Sequence, residues 1–126
     1  MQTASLADAG VRLALGSDIA GGHLPGIYTQ ASRSVQLSKL KAFYEPEENR
    51  AIPFENAFYM ATKEGGALFG KVGSLEPGYE FDALVIRDFS DPFREIRPEE
   101  TVERFCYTGN PTDILAGFIH GKAVID

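Results

Sequence analysis

A chain of 126 residues is long enough to bury a real core, and one domain is the natural expectation. Its 44% hydrophobic and 24% charged content is ordinary for a folded protein, so disorder is not the default. A net charge of −6 with no Lys/Arg cluster argues against a nucleic-acid surface and an anionic-membrane patch, since both need concentrated positive charge. No apolar run approaches the ~20 residues that span a bilayer, and Met1–Ala9 lacks the basic and apolar regions of a signal peptide. The single cysteine, Cys106, cannot form an internal disulfide, so a reduced, cytoplasmic setting is expected.

Residues Thr3–Ala9 read as the last turns of a helix closed by Gly10. A helix this short is marginal alone, and a chain opening on the tail of an element is expected to be cut from something longer. Val11–Leu15 read as a strand, near-continuously apolar as a parallel strand covered on both faces should be. That strand runs into Gly16-Ser17-Asp18-Ile19-Ala20-Gly21-Gly22. A carboxylate at the C-terminal tip of a buried strand points into the site region of α/β proteins, and in barrels this position is catalytic. Asp18 is therefore the first candidate for chemistry; the bland alternative is a carboxylate capping a loop or the next helix. The glycine pair lacks Gly-x-Gly-x-x-Gly or Walker spacing, which favours a tight loop over a phosphate cradle.

His23-Leu24-Pro25-Gly26 reads as a loop, followed by a helix over Ile27–Phe43 with Ile27, Ala31 and Val35 on its apolar side. Tyr44–Arg50 is charged and contains a proline, as an exposed connector should. Pro53 suits the first position of a second helix, with Glu55 in its first turn, extending to about Gly70. Leu75-Glu76-Pro77-Gly78 then fits a type II turn, and Phe81–Arg87 a strand. Residues 88–97 are irregular, and Pro98 starts a short helix with Val102 and Phe105 facing inward. Ile114–Ile119 and Ala123–Ile125 form a hairpin about His120-Gly121-Lys122. The fold class is α/β to α+β, with an internal boundary near Gly70–Gly73. Cys106, flanked by Phe105 and Tyr107, reads as a buried inert thiol.

Four stretches, in order, carry a family resemblance. Ala14–Gly22 resembles the end of the eighth barrel strand in metal-dependent amidohydrolases, and Ala20-Gly21-Gly22 is most like the guanine deaminase branch. Phe58-Tyr59-Met60-Ala61-Thr62 with Gly65, Gly66, Ala67 and Gly70 resembles the helix after that strand. Gly73–Gly78 with Phe81–Ile86 resembles the return into the family's small β-domain. Phe105–Gly109 and Phe118–Val124 resemble its closing segment. The resemblance implies that residues 1–70 are the last βα unit of a (β/α)8 barrel and residues 71–126 the C-terminal part of the β-domain.

By the same resemblance, Asp18 matches the last ligand of one catalytic zinc or iron ion and also carries the proton of the attacking water to the leaving ammonia. Guanine, or another small purine-type substrate, would be deaminated, guanine giving xanthine in a step of purine breakdown. His23, in the loop after Asp18, is a candidate substrate-binding residue, and His120 at the hairpin tip is structural. The sequence departs from the family pattern in two ways: Ser17 stands where threonine is common, and there is no His-x-His, only the two histidines His23 and His120. A zinc site needs about three protein ligands plus water, so the chain alone is expected to bind no metal and not to catalyse. Two alternatives stand beside this reading: a chlorohydrolase or other N-heterocycle deaminase, and a non-catalytic, oligomerising module. Strands after Gly73 lacking their partners would present open edges, so a homo-oligomer is expected.

Overall fold

The computed structural model describes residues 3–22 and 24–125. The chain opens on α1 (Thr3–Asp8), which ends as its sequence predicts. Gly10 takes φ 77°, its N–H donates to the Ala7 carbonyl at 2.9 Å, and the Val11 N–H reaches back to Leu6 at 3.0 Å. Residues 11–17 follow in extended form but make no ladder. This corrects the expectation of a paired strand covered on both faces. A strand is defined by its neighbours, and none of the described residues lies alongside in register. Leu13 and Leu15 are half-buried against the helices, while Val11 and Ala14 face outward.

Helix α2 (Ile27–Tyr44) matches its predicted span within a residue and buries Ala31, Ser32 and Val35. The second predicted helix is broken: α3 (Phe54–Ala61) stops at Thr62, and α4 (Lys63–Gly66) adds one more turn. Thr62 leaves helical geometry at φ −123°, ψ −93°, and its hydroxyl donates to the Phe58 carbonyl at 2.8 Å. Gly65 and Gly66 beyond it are poor helix formers, so nothing restores the run to Gly70. Pro53 is the N-cap instead of the first helical residue, a one-position difference at a helix end.

The second half follows its turn chemistry closely. Gly78 has φ 89° and the Tyr79 N–H donates to Glu76 at 3.1 Å, as a type II turn with Pro77 and Gly78 at its centre requires. Strand β1 (Ala83–Ile86) lies within the predicted 81–87 run. Helix α5 (Pro98–Thr108) begins on its proline, with Glu99 and Glu100 in the first turn. A 3-10 turn (Pro111–Asp113) is closed by a reciprocal Asn110–Asp113 capping box. Strands β2 (Ile114–Ile119) and β3 (Lys122–Ile125) form the hairpin, with His120 and Gly121 at φ 48° and 72° giving the left-handed pair of a type I′ turn. The sheet is antiparallel in the order β1-β2-β3, with Ala83 opposite Phe118 and Leu84 opposite Gly117.

The core is helical. Ala4, Ala31, Val35, Ile52, Ala57 and Met60 form it, joined by Leu13, Leu15 and Phe54. Ala31 and Ala57 are both fully buried, and their small size lets α2 and α3 pack closely. The buried Ser32 hydroxyl donates to the Cys106 carbonyl at 2.8 Å, tying α2 to α5. The Phe105 ring packs against Tyr28 at 4.7 Å and Phe89 at 5.7 Å between centroids.

Candidate active-site loop

The extended segment is anchored to the helices just before it reaches Asp18. The Leu15 N–H donates to the Met60 carbonyl at 3.2 Å, where α3 is about to end. A Cβ on Gly65 would lie 3.7 Å from that of Ala14, an ordinary contact distance, so α4 sits beside the segment. The chain beyond is thereby delivered from a fixed point.

Asp18 then turns the backbone. It has φ 47° and Ala20 has φ 93°, two residues with side chains in the left-handed region within three positions. Asp is among the few such residues enriched there; Ala20 is strained. The Gly22 N–H donates to the Asp18 carbonyl, closing a five-residue turn. Asp18 is exposed, and among the described residues its carboxylate has no ion-pair partner. Such an acid is available to something outside the chain's own packing. His23, the candidate substrate-binding residue, lies outside the described residues.

His120, Asp91 and Arg104 have structural partners. The His120 Nδ1 lies 2.9 Å from the Glu80 carboxylate, and its backbone N–H donates to Asp82 at 2.9 Å, so the hairpin tip is clasped to the segment before β1. The Glu80 hydrogen bond and charge raise the His120 pKa. Arg104 joins the Asp91 carboxylate at 2.6 Å to the Phe89 carbonyl at 3.2 Å. The Phe93 N–H and Arg104 hold the Asp91 carboxyl below its usual range. Cys106 is 2% exposed, and burial, with Glu103 adding to it, pushes its thiol up to about 12. That is an inert thiol, as its apolar flanks led us to expect.

No group of three or more His, Cys, Asp and Glu among the described residues could hold a metal ion. Asp18 fits a metal as one oxygen ligand; a complete catalytic centre needs about three protein ligands. In sequence the glycine pair reads as one tight loop, its two positions undistinguished. A glycine three residues after an acid, where a turn folds it back, is the signal that would have separated them.

An extended segment thus ends in an exposed acid, helices pack against it, and a three-stranded antiparallel sheet completes the chain. The chain belongs to the amidohydrolase family, whose family model matches residues 2–124. Within that family the likeness is to guanine deaminases. The chain is 29% identical to the guanine deaminase of Dictyostelium discoideum over 93% of its own length, and 28% identical to that of Homo sapiens over 91%. It spans 28% of the length of these curated relatives. A guanine deaminase from C. acetobutylicum, solved with guanine bound in its active site, is 37% identical. It superposes with a TM-score of 0.90 over 99% of this chain and 30% of its own. The E. coli guanine deaminase shares the fold at a TM-score of 0.77 and 20% identity over 98% of this chain and 30% of its own.

Proposed function

We propose that the chain is the C-terminal part of a metal-dependent aminohydrolase that converts guanine and water to xanthine and ammonia. The carrying observation is Asp18, exposed at the end of an extended segment and held in a glycine-closed turn, in a fold that matches a guanine-bound guanine deaminase. In this reading residues 1–70 end a (β/α)8 barrel and residues 71–126 belong to its small β-domain. The unpaired segment 11–15 is the last barrel strand, whose ladder partners lie in the remainder of the protein, and the protein works in the cytoplasm.

Asp18 would supply one carboxylate oxygen to a zinc or iron ion, with the other ligands coming from outside this chain. A bound divalent ion supplies Lewis acidity and lowers the pKa of water towards neutrality. Asp18 takes the proton that the attacking water loses and passes it towards the exocyclic amine, so that ammonia departs as a neutral molecule. His23 is the candidate substrate-binding residue in this reading. Metal content and ammonia release from guanine, measured on the full-length protein and on Asp18→Asn, test the reading. Stoichiometric metal and turnover are expected in the first, and turnover lower by about 10²-fold or more in the second. Equal turnover in the two would remove Asp18 from the mechanism.

A second reading concerns the chain by itself: a non-catalytic, self-associating piece. Its surface of 8660 Å² favours this, because a compact monomer of 13.7 kDa would expose about 6,600 Å².

A further inference from the structure

We propose that the two glycines after the acid have different functions: Gly22 shapes the backbone of the loop, and Gly21 is a positioning residue for the Asp18 carboxylate. The proposal rests on the reading of Asp18 as a site acid and assigns that acid the group that limits its orientation.

Neither glycine has a positive φ, so neither is needed for its dihedrals. Each is needed for space. A Cβ on Gly22 would fall on the Ser17 carbonyl oxygen and come within 3.2 Å of the Asp18 carbonyl. Both are backbone oxygens at the start of the turn that the Gly22 N–H closes, and they cannot retreat without opening it. A Cβ on Gly21 meets something else: the Asp18 Oδ2 at 2.6 Å and Cγ at 3.2 Å, with the nearest backbone atom at an ordinary 3.5 Å. The group that must move is therefore the carboxylate. Ordinary contact begins at 3.4 Å, so Oδ2 must retreat by ~0.8 Å, more than the ~0.5 Å within which a preorganised site holds its groups.

This separates two effects that a merely structural glycine would join. Alanine at position 21 meets no positive φ and lowers the entropy of the unfolded chain, so it leaves the fold intact while turning the acid away. Alanine at position 22 opens the loop. The carbonyl and carboxylate of one residue, Asp18, are thus controlled by consecutive glycines.

The test uses the full-length protein loaded with zinc, comparing wild type with Gly21→Ala, Gly22→Ala and Asp18→Asn. Thermal midpoint, the rate at which a chelator strips the metal, kcat and KM for guanine, and the ¹³Cγ shift and χ1 couplings of labelled Asp18 are read for each. Gly21→Ala is expected to melt within about 2 °C of wild type, to lose metal about 10- to 100-fold faster, and to lose about 10- to 100-fold in kcat at unchanged KM. Its Asp18 couplings change rotamer. Gly22→Ala is expected to lower the midpoint. An unchanged Asp18 shift and rotamer in Gly21→Ala overturns the proposal, as does a midpoint lowered as far as in Gly22→Ala. If Asp18→Asn strips and turns over like wild type, the reading of Asp18 as a ligand fails; the Asp18 couplings of Gly21→Ala still decide what Gly21 does.

Discussion

Asp18 combines two demands that few side chains meet together. At φ 47° it stands where short polar side chains are tolerated, and it presents a carboxylate to solvent. Asparagine keeps the first property and loses the second; alanine loses both. Asp18→Ala is therefore expected to unfold about 1 kcal/mol more easily than Asp18→Asn in denaturant titrations. Cys106 makes the opposite case. Buried, with its thiol pushed up to about 12, it should not react with a thiol reagent until the protein unfolds. His120 is exposed and held by Glu80, which raises its pKa above the ordinary 6.5. The stabilisation from this pair is fully present below the unfolded value and is lost as pH rises through the raised folded value. An NMR titration should place the His120 midpoint above 6.5, and Glu80→Gln should bring it down.

At the scale of elements, legibility followed the range of the forces. The Pro77-Gly78 turn, the His120-Gly121 hairpin and the proline start of α5 were readable because each is decided within four residues by φ restrictions and local hydrogen bonds. The break at Thr62 was not. There the chain turns to admit Gly73, at φ 78°, whose Cβ would fall on the Thr62 carbonyl. Ten intervening residues separate the two, beyond the reach of a helical periodicity. Helix pairing is similarly a tertiary matter: Ala31 and Ala57 are fully buried where α2 and α3 meet. Ala57→Leu is expected to overpack this seam and to cost about 1–3 kcal/mol of stability, read as a shift in the urea midpoint at unchanged slope.

For the molecule as a whole, the unusual quantity is surface. The chain exposes 8660 Å², some 2,000 Å² more than expected for a compact monomer of its mass. Leu68, Phe69 and Phe43 are exposed at 85%, 80% and 78%. Both outer edges of the β1-β2-β3 sheet are unpaired among the described residues. An excess of this size is what an obligate interface covers, and open edges invite pairing. Prepared by itself, the 126-residue chain is expected to self-associate; light scattering showing a clean monomer at about tens of micromolar would count against it.

The sequence alone determined the elements and the acid: an apolar run ending at Asp18, a glycine pair behind it, four helical stretches, and a hairpin with its turn residues in place. Each of these is written in short-range patterns of polarity and φ preference. Tertiary structure decided the rest. It left residues 11–15 without a ladder, because pairing depends on strands that the segment cannot specify by itself. It broke the second helix where Gly73 packs on Thr62, and it folded Gly21 back onto the carboxylate of Asp18. A sequence shows that a glycine is small; only the closed loop shows which atom needs the space.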